Sequence, residues 1–286
     1  ELAMEHFSEP GSAVVLPTPA YMPFFEVPLA HGREIITVPS PVDADGRSRL
    51  DLDGIRAALA GRGNLLVLCN PHNPTGRVYE RHELEALAEV VEVEGGRVFA
   101  DEIHSPLVYE PGRHIPYASI SPIAAGHTVT ATSASKAWNL AGLKCAQLII
   151  SNDADAAVWE RVGPTVAFGA ATLGVIANTA AYTEGREWLA WVTDYLDGSS
   201  RLLAELVAEH LPGVGYVPPE GTYLTWLDCR ALELGDDLRQ RFLDHGVALV
   251  DGARCGHPGF VRLNIATPRP ILTEVVRRMS RAATVA

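Results

Sequence analysis

The run Leu65-Leu66-Val67-Leu68-Cys69 contains no polar residue, and it stops at Asn70-Pro71-His72-Asn73-Pro74-Thr75-Gly76. A strand that is apolar at every position is covered on both faces, the situation of a parallel sheet sandwiched between helices. Two Asn-Pro pairs and a glycine then force a rigid loop at the carboxyl end of that strand. Similar short runs at 13–17, 33–39, 96–100, 128–132 and 146–150 read as strands. Between them, 51–60 has helical spacing (Leu52, Ile55, Leu59, with Asp51 as a cap), and 80–92 reads as a second helix. Strands alternating with helices predict an α/β fold with a mostly parallel sheet.

In such sheets, ligands collect beyond the carboxyl ends of the strands. Tyr21 follows the first strand, and Asn73 follows the Leu65 run. Asp101 and His104 follow 96–100, and Ser133, Ser135 and Lys136 follow 128–132. Each of these residues alone has an ordinary structural reading: a core aromatic, a turn-capping Asp, a satisfied histidine, a surface lysine. Their convergence on one edge is the functional signal. Lys136 stands among small and apolar neighbours, Ala134, Ala137 and Trp138. Burial there would disfavour the ammonium and favour a neutral, nucleophilic amine, which Schiff-base chemistry requires.

From 153 to 210 the pattern is helical, and Pro212-Gly213 ends it. Strands are expected at 222–227 and 260–265, with a helix at 234–245 between them and a closing helix at 270–283. This rhythm predicts a smaller α+β unit, and we divide the chain into 1–192 and 193–286. The 286 residues carry a formal net charge of -12, which argues against a nucleic-acid partner. No apolar run is long enough to suggest a membrane span. Cys69, Cys145, Cys229 and Cys255 lie far apart, without metal-ligand spacing, so no metal is expected and reduced thiols in a cytoplasmic enzyme fit best.

Taken in order, Asn73-Pro74-Thr75-Gly76, Asp101-Glu102-Ile103-His104, Ser133-Ala134-Ser135-Lys136 and Phe260-Val261-Arg262-Leu263-Asn264 resemble the fold-type-I pyridoxal 5'-phosphate (PLP) enzymes of the aminotransferase class I/II superfamily. The Asn70-Pro71-His72 prefix, His104 in place of a tyrosine, Pro19-Ala20-Tyr21 and Ser135-Lys136-Ala137-Trp138-Asn139 are similar to the cystathionine β-lyase, or C–S lyase, branch. The resemblance covers nearly all of the sequence. It implies the PLP-transferase large domain followed by a small domain, with an N-terminal part of the family fold lying outside these residues. It implies PLP as cofactor, an amino-acid substrate and a homodimer. By the same resemblance Lys136 would carry the cofactor and serve as base, and Asp101 would pair with its ring nitrogen. Asn73 and His104 would bind the ring oxygen, and Tyr21 would stack on the ring and assist proton transfer. Ser133, Ser135 and Lys144 would lie at the cofactor, with Ser133 and Lys144 on its phosphate, and Arg262 would hold the substrate carboxylate. The implied reaction is β-elimination from L-cystathionine or a related cysteine S-conjugate, giving a thiol, pyruvate and ammonia. The alternatives are an aminotransferase and a non-catalytic PLP-binding regulatory domain.

Overall fold

The computed structural model describes residues 1–109, 112–234 and 237–284. Six strands form the first sheet: β1 (Ala13–Thr18), β2 (Ile35–Pro39), β3 (Gly63–Cys69), β4 (Arg97–Asp101), β5 (Thr128–Thr132) and β6 (Gln147–Ile150). Their order is β2-β1-β3-β4-β5-β6, parallel throughout except that β6 runs antiparallel to β5. The unbroken apolar character of β3 has a simple cause. Leu66 and Leu68 point with Val15 and Val98 into a core closed by Ile55 and Leu59 of the helix Leu52–Ala60 and by Leu84, Leu87 and Val91 of the helix Arg81–Val93. Leu65 and Val67 point the other way, to Val14, Leu16 and Met4, with Phe24 and Phe99 packed alongside. Alternate side chains thus serve two cores. Asp51 caps the first of these helices by accepting the Gly54 amide at 3.0 Å, as its position suggested.

The second sheet has four antiparallel strands in the order β7-β8-β10-β9, namely β7 (Gly215–Tyr216), β8 (Leu224–Asp228), β9 (Val250–Asp251) and β10 (Phe260–Asn264). Leu227, Val261 and Leu263 pack on Leu203 and Val207 of the long helix Arg186–His210, on Phe242, and on Leu272, Val276 and Met279 of the closing helix Arg269–Thr284. Leu107, Tyr109 and Ala137 join this same core from the other side of the cleft.

Three expectations shift. The strand expected from 222 begins at Leu224, because Thr222 lies at φ +70° and cannot enter the ladder. The helix expected over 234–245 covers Leu238–Asp244, and residues 235 and 236 lie outside the described residues. β7 and β9 were not anticipated, since two-residue strands carry no periodicity.

The two sheets are latched together. Glu220 accepts from Arg77 at 2.6 Å and from the Val78 amide at 2.7 Å, and it also pairs with Arg47. Arg77 is buried and reaches Glu83 as well, at 2.6 Å. Beside it, Gly76 has φ +71°, and a Cβ there would stand 2.2 Å from Pro219 Cβ. No single helix among the described residues is long and apolar enough to cross a membrane; one helix pair, 153–169 and 172–184, meets that test by length and composition but is bent by 102°.

Candidate active site

In the strand order the chain reverses direction of growth between β1 and β3, and the loops leaving these two strands carry Tyr21 and Asn73. β4 and β5, the next strands along, deliver Asp101, His104, Ser133 and Lys136. This is the crevice in which open α/β sheets place ligands. A cavity of about 850 Å³ opens there, and Tyr21, Asn73, Asp101, His104, Ser133, Ser135, Lys136 and Lys144 all line it. Arg262 is not in its wall, but the Arg262 guanidinium donates to Asn73 Oδ1 at 2.8 Å and so reaches the site through Asn73. A separate cavity of about 250 Å³, between the loop around Arg47 and Trp226 and Phe260 of the second sheet, contains none of these residues.

Asp101 closes β4. Its carboxylate accepts the Ile103 amide at 3.1 Å and makes no ion pair among the described residues. Burial pushes this carboxyl up to about 6, even though the Ile103 amide and the Lys136 charge pull the other way. His104, three residues on, is buried, with no partner for Nδ1 among the described residues. Burial pushes its imidazole down to about 3, aided by the charges of Lys136 and Arg262, so His104 is neutral. Tyr223 stands edge-on to it, with ring centroids 5.5 Å apart at 73°. On the loop after β3, His72 is buried and bonded to Thr75 Oγ1 at 2.7 Å, and burial holds it down at about 4. Both of these loop histidines are therefore neutral.

The Ser133 end is built differently. Ser133 caps the short helix Ala134–Ala137: its Oγ accepts the Ser135 amide at 3.0 Å and donates to the Cys145 carbonyl at 2.6 Å. Its hydroxyl proton is therefore already engaged. The Ala134 amide is held by the buried Asn178 Oδ1 at 2.9 Å, which fixes the start of the turn bearing Lys136. Lys136 itself is half-buried rather than buried, since the cavity opens onto it. Lys144 is exposed and sits at φ +52°, ending a short 3-10 turn.

An orphaned imidazole nitrogen and an elevated carboxyl without an ion pair are costly to bury unless something in the cavity completes them. A protonated ring nitrogen facing Asp101 and a polar ring substituent facing His104 would do so, and Lys136 supplies a primary amine in the same cavity. The donor set fits a pyridoxal cofactor.

Residues 1–279 match the family Aminotransferase class I and II. The chain belongs to this family. Among its relatives in the family, the cystathionine beta-lyase of Corynebacterium glutamicum is 41% identical, over 98% of this chain and 74% of that protein. Cystathionine beta-lyase PatB of Bacillus subtilis (strain 168) is 34% identical over 98% of this chain and 74% of its own length. Among solved structures, cystalysin from Treponema denticola, which contains a pyridoxal 5'-phosphate cofactor, superimposes with a TM-score of 0.91 at 28% identity, covering 98% of this chain and 72% of that one. The mixed sheet with its single antiparallel edge strand and the smaller antiparallel unit are thus the aminotransferase-family architecture expected from the sequence.

Sequence reasoning missed Tyr223. The only signal for it was Gly221-Thr222-Tyr223 at the entry to a strand, and its meaning lies in a backbone angle that no residue pattern shows.

Proposed function

We propose that the chain is a PLP-dependent C–S β-lyase, acting on L-cystathionine or a related cysteine S-conjugate to release a thiol, pyruvate and ammonia. The observation that carries this reading is the combination of Asp101 and His104: a buried carboxyl raised to about 6 with no ion pair among the described residues, and a neutral imidazole whose Nδ1 has no partner among them, both lining the cavity that holds Lys136. The relatives named as cystathionine beta-lyases, at 41% and 34% identity, direct the choice of reaction.

When bound, PLP supplies the electron sink that makes loss of a substrate Cα proton feasible. Lys136 would hold the cofactor, then accept that proton at Nζ. Asp101 would keep the facing ring nitrogen protonated, which its own neighbours cannot do. His104 and Asn73 would orient the ring oxygen, and Tyr21 would cover the ring and move a proton at its hydroxyl. Arg262, aimed by its bond to Asn73, would bind the substrate α-carboxylate with its planar fork. The hydroxyl of Ser133 would meet the phosphate by turning away from the Cys145 carbonyl, with Lys144 adding charge from solvent and Ser135 at the cofactor. The division at 192/193 stays part of this proposal: the fully buried residues that the helix Arg186–His210 gives to the second core begin at Leu196, with Leu189 and Val192 packed alongside.

A homodimer is part of the same proposal. Phe168, Leu173, Ile176 and Trp191 are between 61% and 89% exposed on one stretch of helices, more apolar surface than a solvated face needs. Cytoplasmic placement is proposed from the four free thiols.

The test is incubation of the purified protein and PLP with L-cystathionine, following thiol and pyruvate without added 2-oxo acid. Stoichiometric appearance of both is expected. Turnover only when a 2-oxo acid is supplied would replace the lyase with an aminotransferase, and cofactor binding with no turnover of either kind would point to the regulatory domain.

A further inference from the structure

Four non-glycine residues among those described have positive φ: Asn139, Lys144, Glu233 and Thr222. Thr222, at φ +70°, is the β-branched one, and a β-branched residue in this region is an outlier costing on the order of 1–3 kcal/mol. It is also fully buried and tied down on every side. Its amide donates to the Leu107 carbonyl at 2.7 Å, its carbonyl accepts from the Tyr109 hydroxyl, and its Oγ1 accepts the Leu224 amide at 3.0 Å. Gly221 before it passes so close to the same segment that a Cβ would meet the Leu107 carbonyl oxygen at 2.6 Å. The Leu107 amide in turn donates to the His104 carbonyl at 2.8 Å. A single hydrogen-bonded path therefore runs from His104 through Leu107 to Thr222, and the next residue, Tyr223, returns its ring to a T-shaped contact with the His104 imidazole, with centroids 5.5 Å apart.

Strain of this kind persists only where surrounding structure enforces it. Here an ordinary φ at Thr222 would carry Tyr223 along the strand direction and away from His104. We infer that Tyr223 is a positioning residue: held in place by the strained Thr222, it fixes the plane of the His104 ring and thereby the group that receives the cofactor's ring oxygen. The charge of Arg262 also acts on the Tyr223 hydroxyl. This inference rests on the PLP reading above.

The experiment measures PLP affinity by cofactor fluorescence, the pH at which the visible absorption of bound PLP changes, and thermal melting of the cofactor-free protein. Wild type is compared with Tyr223→Phe, Tyr223→Ala and Thr222→Gly. Tyr223→Phe keeps the ring edge and should stay within about 3-fold of wild type in affinity. Tyr223→Ala should weaken PLP binding by about 10-fold and move the spectral transition. Thr222→Gly relieves the φ restriction, so affinity should fall about 5-fold or more with no matching fall in melting temperature. Should Tyr223→Ala fail to fold, Tyr223→Leu, with similar bulk and no ring edge, carries the same expectation. Unchanged affinity and unchanged spectral transition in folded Tyr223→Ala (or Leu) and Thr222→Gly would overturn the inference while leaving the PLP reading intact. A wild-type protein that binds no PLP would overturn both.

Discussion

The two ends of the cavity solve different problems. At the Asp101–His104 end, burial does the chemistry: it raises a carboxyl to about 6, lowers an imidazole to about 3, and leaves a ring nitrogen without a partner. At the Ser133–Lys144 end, the groups that would meet the phosphate are already accommodated: the Ser133 hydroxyl donates to the Cys145 carbonyl, and Lys144 faces solvent. The first end is preorganised at a cost in stability, and the second is cheap and adaptable. A fixed ring whose electronics must be tuned needs the former, and a phosphate with several equivalent oxygens tolerates the latter.

Lys136→Ala should break the site at its centre. Thiol release from L-cystathionine should drop by roughly 10³-fold or more, as for loss of a nucleophile that is also the base. Borohydride reduction with PLP should label wild type at Lys136 and leave the variant unlabelled by mass spectrometry. Asp101→Asn probes the buried end, with kcat falling by about 10²–10³-fold. The same change should stabilise the cofactor-free protein. A carboxyl held at about 6 when folded, against about 3.9 when unfolded, favours the folded state below pH 4, and this contribution is lost as pH rises through 6. Asp101→Asn should therefore gain about 2–3 kcal/mol over wild type at pH 7 and nothing at pH 4, read from denaturant melts. His104 and His72 act in the opposite sense. Each is neutral when folded and protonates near 6.5 when unfolded, so their contribution is present above pH 6.5 and lost as pH falls toward 3 to 4. His104→Gln should flatten that acid limb; an identical acid limb in the variant would show that the imidazole is solvated.

Arg262→Leu should raise KM by about 10–100-fold, the scale of a charge-assisted pair, with a smaller effect on kcat. Asn73→Ala should reproduce part of that rise through loss of the 2.8 Å bond. Lys144→Met, at the adaptable end, should lower PLP affinity only about 2- to 5-fold, and salt should mask the effect. A loss as large as that of Asp101→Asn would erase the contrast between the two ends.

Most of the first sheet was legible because each strand is an apolar run stopped by a polar, turn-forming segment, and the ends of those runs are the site. Asp101, His104 and Lys136 could be expected on one edge because each follows the carboxyl end of a strand in a mostly parallel sheet. What escaped reading was long-range or conformational. The burial expected for Lys136 depended on how wide the cavity opens. The engagement of Ser133 with the Cys145 carbonyl depended on a loop twelve residues on. The late start of β8 depended on Thr222, an ordinary strand former by composition that is held in an αL angle by Leu107, Tyr109 and Leu224.

The latch between the sheets bears on how such chains can be recombined. Gly76 and Pro219 touch so closely that neither position tolerates an arbitrary neighbour, and Glu220 balances arginines that belong wholly to the other sheet. A chimera that imports residues 212–284 from a relative would have to bring along compatible partners at 47, 76 and 77, or it would strand a buried guanidinium at the seam. The small unit is thus not a free cassette: its inheritance is tied, residue by residue, to the loop that also carries Asn73.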